Sequence, residues 1–217
     1  MDDVADTSRK AARRPRSDAL RNRERVLEAA KLVFATGGAE ASLEAVARSA
    51  GVGAGTLYRH FPTREALYEA VYRREVEQLA ALAERLIAEG VPPTDALRSW
   101  LRANVEFVAT KKGMAAALAL AAHRPPELAA YSSARLAEAA GTLIARATSA
   151  GEIRADISPE DLLRALVGMC LFQDQPGWRD SVLRLLDVFV DGMRARGDQN
   201  VGGLQAETIT SSTSPEL

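Results

Sequence analysis

Apolar residues along this chain recur at helical spacing. Leu43, Val46, Ala47 and Ala50 fall at i, i+3, i+4 and i+7 and make one apolar helical face. Ser42 precedes that face and can cap it, because its hydroxyl accepts an orphan backbone N–H. Gly51 follows, where a left-handed residue closes the helix. With Gly53 as the next N-cap, Val52 and Leu57 stand at the spacing of a hydrophobic staple. Phe61 lies one turn beyond Leu57, and Pro62 stops that helix. The segment 42–61 is therefore two short helices joined by a tight turn.

An earlier helix is expected over residues 17–36, with Val26, Ala29, Ala30, Val33 and Phe34 inward and Gly37-Gly38 at its end. Thr63 caps a long helix that runs to about Glu89, with Leu67, Val71, Val76, Leu79, Leu82, Leu86 and Ile87 on apolar positions. Gly113, Pro125-Pro126, Gly151 and Pro176-Gly177 divide the remainder into helices over 94–111, 113–122, 126–150, 159–174 and 178–196. Thr94 and Ser158 stand where helix starts can be capped. No run of alternating β-branched residues competes, so the fold class is all-α. Residues 1–17 and 197–217 are polar and aperiodic and are expected to be disordered, the first as a basic arm around Arg13-Arg14-Pro15-Arg16. Two domains are expected between them, 18–64 and 65–196.

A chain of 217 residues can bury a real core. No apolar stretch reaches the roughly 18 residues that span a bilayer, and the N-terminus lacks the pattern of a secretory signal; a cytoplasmic protein without membrane contact is expected. The net charge of −1 conceals an asymmetry. From Lys10 to Arg64 there are 11 Lys and Arg against 5 acids, 11 − 5 = +6, which leaves −7 for the rest. One end of the molecule is thus suited to an anionic polymer and the other to different work.

The outward positions of the second short helix are Ala54, Gly55, Thr56, Tyr58, Arg59 and His60. Its first turn is small, which permits close approach to base edges, and its end is polar, which suits phosphate. Ser42 and Thr63 stand at helix N-termini, where free N–H groups attract phosphate oxygens.

Ser42, Val46-Ala47, Ala50-Gly51-Val52, Gly55-Thr56-Leu57-Tyr58, His60-Phe61, Arg64-Glu65 and Leu67 together resemble the helix-turn-helix of the TetR family of transcriptional regulators. Gly53 departs from the Ser usual in that family, and Arg64 from its Lys. The stretch from Trp100 through residues 151–156, GEIRAD, resembles the SbtR-like subgroup of TetR C-terminal domains. The resemblance implies an N-terminal three-helix DNA-binding head and a C-terminal helical domain for ligand binding and dimerisation. It implies that Ala54, Gly55 and Thr56 approach the bases and that Ser42, Tyr58, His60 and Arg64 hold phosphates, with Gly53 in the DNA-binding set at the cap position and Arg48 and Arg59 as further candidates from charge and position. The expected partners are a palindromic double-stranded DNA operator, a second copy of the chain and a small-molecule effector.

In the C-terminal region, Trp100, Asn104, Phe107, Met114, Leu118, His123, Met169 and Phe172 are candidates for a ligand pocket, with ordinary core as the alternative for each. Leu163, Leu166, Cys170, Val182, Leu186, Phe189 and Met193 make apolar stripes on the last two helices and are candidates for a dimer interface, with packing inside one copy as the alternative. One cysteine and two distant histidines argue against a thiolate zinc site, and no nucleophile elbow, phosphate loop or His-Glu-x-x-His is present, so no enzyme, metal or cofactor is expected. The expected function is a repressor released by an effector. A DNA-binding regulator without a ligand, or a helical carrier or enzyme, would fit the same elements.

Overall fold

The structure, a computed structural model, describes residues 4–37, 41–118, 126–171 and 177–195, with side chains for 18–36, 41–111, 126–170 and 177–195. The described residues form eight helices: α1 (Val4–Gly37), α2 (Leu43–Ala50), α3 (Ala54–His60), α4 (Arg64–Ala88), α5 (Pro93–Leu118), α6 (Pro126–Ser149), α7 (Pro159–Leu171) and α8 (Trp178–Gly192). Helices α1–α3 pack together as a head; α4 leaves it and packs on α1, α5 and α6, while α7 and α8 cover α5 and α6.

The α2–α3 unit follows the local chemistry of its residues. The Ser42 hydroxyl accepts the Ala45 N–H at 3.1 Å. Gly51 sits at φ +61°, and its N–H bonds the Arg48 carbonyl while the Val52 N–H reaches back to the Ala47 carbonyl, both at about 3 Å. This paired closure is the glycine-dependent way to end a helix, and a side chain at that φ would be strained. Leu57 and Phe61 are buried beneath α3, and the Arg23 guanidinium lies 5.4 Å from the Phe61 ring centroid.

Several boundaries differ from expectation. Helix α1 begins at Val4, so residues 4–16 are helical and not the disordered arm; their Ala, Arg and Lys content favours helix once 17–36 has nucleated it. Helix α5 passes through Gly113 without a break, because an interior glycine costs a helix only about 1 kcal/mol and does not by itself turn the chain. Residues 119–125 and 196–217, with the expected C-terminal tail, lie outside the described residues. Helix α8 ends at Gly192, and the chain then forms an antiparallel bridge between Ile153 and Arg194. Thr63 and Ser158 cap α4 and α7, accepting N–H bonds from Ala66 and Asp161. Thr94 does not cap. It lies inside α5, and its N–H and hydroxyl both donate to one Glu152 carboxylate oxygen, at 2.8 and 2.6 Å. That carboxylate, from the α6–α7 loop, serves the N-terminus of α5.

Head and body are joined by charge as well as by packing. Arg74 of α4 bonds Glu24 and Glu28 of α1, each at 2.6 Å. Lys31 of α1 pairs with the buried Glu75 of α4 at 2.6 Å. Further down, Arg98 and Arg102 of α5 hold Asp187 and Asp191 of α8.

Candidate nucleic-acid interface and effector cavity

The first turn of α3 is bare. Gly53, Ala54 and Gly55 are exposed, and a Cβ added at Gly53 or Gly55 would meet nothing within 4 Å. Thr56 and His60 are half-buried, Arg48 and Arg59 exposed. This surface combines open backbone at one end with cations at the other, which suits a helix seated in a DNA groove.

Two expected phosphate contacts are otherwise engaged. Tyr58 is exposed, but its hydroxyl donates to Glu44 of α2 at 3.1 Å. The Glu44 backbone and then the Tyr58 hydroxyl hold the Glu44 carboxyl below its ordinary value, and the carboxylate in turn pushes the Tyr58 phenol up. Tyr58 must leave Glu44 before it can donate to a phosphate. Arg64 also makes an internal bond. Its guanidinium donates to the Ala41 carbonyl at 2.6 Å, so it fastens the approach to α2 onto the start of α4. The longer reach of Arg over Lys, with a planar fork, allows that internal bond.

The body holds a cavity of about 300 Å³ between α4, α5, α6 and α7. Tyr72 of α4, Asn104 and Lys111 of α5, Ser132 and Ser133 of α6 and Leu163 of α7 contribute to its wall. The Tyr72 hydroxyl donates to Ser132 Oγ at 3.1 Å, and the Ser132 hydroxyl donates to the Ala129 carbonyl at 3.0 Å. Of the expected pocket residues, Asn104 and Phe107 line this cavity. Trp100 does not; it is fully buried, and its indole N–H donates to the Leu79 carbonyl at 2.8 Å, which makes it the seam between α4 and α5. Met169 is half-buried against the core and is not part of the lining. Met114 and Leu118 belong to α5 with side chains outside the described set, and His123 and Phe172 lie outside the described residues.

Sequence reasoning missed Tyr72, Lys111, Ser132 and Ser133. One signal was present: Ser132 interrupts the stripe Leu128, Leu136, Ala139 and Leu143 on the inner face of α6. A polar residue at a core position needs a partner, and here Tyr72 provides one.

The residues expected at a dimer interface lie mostly inside one copy. Leu166, Cys170, Val182, Leu186 and Met193 are buried within the protomer, Leu163 lines the cavity, and Phe189 is half-buried against the core. The strongest apolar stripe of each helix serves its own core, where most apolar area can be covered. A second face is left open. Leu185 and Val188 of α8 are 47% and 71% exposed, and Val167 of α7, at the rim of the cavity, is 39% exposed. Scattered exposed apolar residues are ordinary, but these three stand on two helices that pack together.

A small helical head with a bare-tipped second helix, set on a helical body with a half-open cavity, is the architecture of a one-component DNA-binding regulator. Residues 26–71 match the bacterial regulatory proteins of the tetR family, and residues 92–195 match the transcriptional regulator SbtR-like C-terminal domain. The chain belongs to the TetR family of transcriptional regulators. It is 30% identical over 155 residues to the HTH-type transcriptional repressor Rv1474c of Mycobacterium tuberculosis, covering 69% of this chain and 78% of that one. Among solved structures it is similar to the TetR transcriptional regulator SCO0520 of Streptomyces coelicolor, at 42% identity and a TM-score of 0.69, covering 81% of this chain and 99% of that one. It is also similar to a TetR regulatory protein of Mycobacterium vanbaalenii, at 37% identity and a TM-score of 0.67, covering 82% and 98%. Regulators of this family bind operator DNA and act as dimers.

Proposed function

We propose that this protein is a dimeric repressor that binds a palindromic operator and is released when a small molecule fills the body cavity. It works at the chromosome in the cytoplasm, by binding and not by catalysis. The observation that carries the reading is the position of α4. Tyr72 on that helix lines the cavity, while Arg74 and Glu75, within the next turn, hold α1 of the head. A molecule that displaces α4 at Tyr72 therefore acts on the head directly.

Two copies joined through the outer faces of α7 and α8 would form a four-helix seam around Val167, Leu185 and Val188. Each copy then presents one α3, with Gly53, Ala54, Gly55 and Thr56 toward the bases and Ser42, Arg48, Arg59 and His60 toward the backbone. Operator binding requires the two heads about 34–36 Å apart, one turn of duplex. An effector that favours another spacing lowers operator affinity by linkage, with a coupling of about 1–3 kcal/mol. The cavity favours this reading over a regulator without a ligand.

The test is Val188→Glu, which places a charge on the open face without touching the core. Sedimentation of the unmodified protein should give a dimer, and the variant should shift toward monomer and lose operator affinity while keeping its helical spectrum. A variant that stays dimeric and binds as before would exclude this seam.

A further inference from the structure

We propose that the cavity selects a small amphiphile with a carboxylate head and an apolar body, and that Lys111 is the counter-ion of that head. The proposal rests on the reading of this cavity as the effector site and names the class of molecule it takes.

Among the described residues lining the cavity, Lys111 is the one ionisable side chain other than the Tyr72 phenol, and none is an acid. Its ammonium lies 5.6 Å from the centroid of the Tyr72 ring, and among the described residues no carboxylate pairs with it. The side chain is half-buried. A cation at a partly dry wall gains most from an anion, because attraction strengthens as water leaves. The polar groups beside it are short and neutral. Tyr72 donates to Ser132, and Ser132 donates onward to Ala129, so the hydroxyl chain is already ordered. Asn104 spends one N–H on the Trp100 carbonyl at 3.0 Å. Ser133 also faces the space. These groups can orient a carboxylate, but they hold no charge that would balance a cation.

The rest of the wall is apolar: Val108, Leu136, Leu163, Leu166 and Val167. A hydrocarbon body would bury against them, at about 25 cal/mol per Å² removed from water. A cationic ligand is disfavoured twice. It meets Lys111 as a like charge, and the Tyr72 face that would attract it already has an ammonium nearby. A volume of about 300 Å³ is at the lower end for binding sites, which limits the ligand to a short chain or a single small ring system.

The experiment compares octanoate with octanamide, which share a chain and differ in charge, by calorimetric titration of the full-length protein without DNA. Octanoate should bind more tightly by roughly ten- to a hundred-fold, the range of a charged hydrogen-bonded contact. Lys111→Met keeps the apolar stem and should erase that preference. Leu136→Trp, which fills the cavity, should abolish binding of both probes. Equal affinity for the two probes in the unmodified protein, no binding of octanoate, a preference retained in Lys111→Met, or binding retained in Leu136→Trp would each overturn the proposal. Operator affinity is measured separately, with and without saturating octanoate. Lys111-dependent octanoate binding that leaves operator affinity untouched upholds the ligand class and removes the effector reading; failure of octanoate binding with operator binding intact removes the ligand class alone.

Discussion

Replacing Arg74 by Met deletes the guanidinium that joins head to body and keeps an unbranched stem. Arg74 is 14% exposed and bonds Glu24 and Glu28, which are 57% and 53% exposed. Its third nitrogen lies 3.5 Å from Glu75, which is 8% exposed and pairs on its other side with Lys31 at 2.6 Å. Three carboxylates are thus balanced by two cations. The two exposed pairs contribute about 0.2–1 kcal/mol each. Glu75 keeps Lys31 but loses its second cation inside a partly dry site, a loss of about 1–3 kcal/mol. Summed, these ranges give an expected destabilisation of about 1.4–5 kcal/mol. Urea unfolding followed by circular dichroism measures it, with protein concentration held fixed because the stability of a dimer depends on it. In a Glu75→Gln background the same replacement should cost less, by about 0.5 kcal/mol or more, since coupled residues are not additive. Salt should weaken the exposed part of the effect. A change within about 0.5 kcal/mol, the range of ordinary surface substitutions, would refute the clamp. Strict additivity with Glu75→Gln would refute the network.

Gly51→Ala forces a side chain into φ +61° and places its Cβ 2.6 Å from Arg25 Nη2. The arginine can move, so the backbone dominates and a loss of about 1–2 kcal/mol is expected in the same unfolding assay. Trp100→Phe leaves the Leu79 carbonyl without its 2.8 Å donor and should cost about 1–3 kcal/mol by denaturant titration; an unchanged midpoint would show that the indole N–H contributes nothing. Glu44→Gln removes a carboxylate from the DNA-facing side and loosens Tyr58, so operator affinity measured by fluorescence anisotropy should rise; a fall would show that Glu44 orients the tyrosine for binding. Thr94 donors hold the Glu152 carboxyl below its ordinary 4.5, so this contact stabilises the fold above that pH and the contribution is lost as pH falls through the lowered value. The stability difference between the unmodified protein and Glu152→Gln should therefore be present at neutral pH and shrink in acid; a difference that grows in acid would contradict the sign.

The head was legible because its local signals agree with its tertiary role. Ser42, Gly51 and Thr63 each carry out the capping or closing role their residue type suggests, and the apolar period of α2 coincides with its buried face. The body was legible as helices but not as sites. An apolar stripe on α7 or α8 marks burial without saying against which partner, and residues assigned to a second copy proved to face their own core. Trp100 read as pocket aromatic for the same reason; its indole hydrogen bond depends on Leu79, a contact no spacing encodes. Lys111 is ordinary on a helix surface and gains meaning only when α4, α6 and α7 line the space beside it. Arg64 matched the family pattern by charge, yet its bond to Ala41 is set by how α4 meets the loop before α2.

The most direct test of the account is selection of bound sequences from a random duplex pool with the purified protein, followed by titration of the selected duplex against salt. The expected result is an enriched palindrome, bound by two copies, with log affinity falling by about 0.9 per phosphate neutralised for each unit of log salt. A pool without enrichment, bound weakly and released at moderate salt, would contradict sequence-specific recognition by this head.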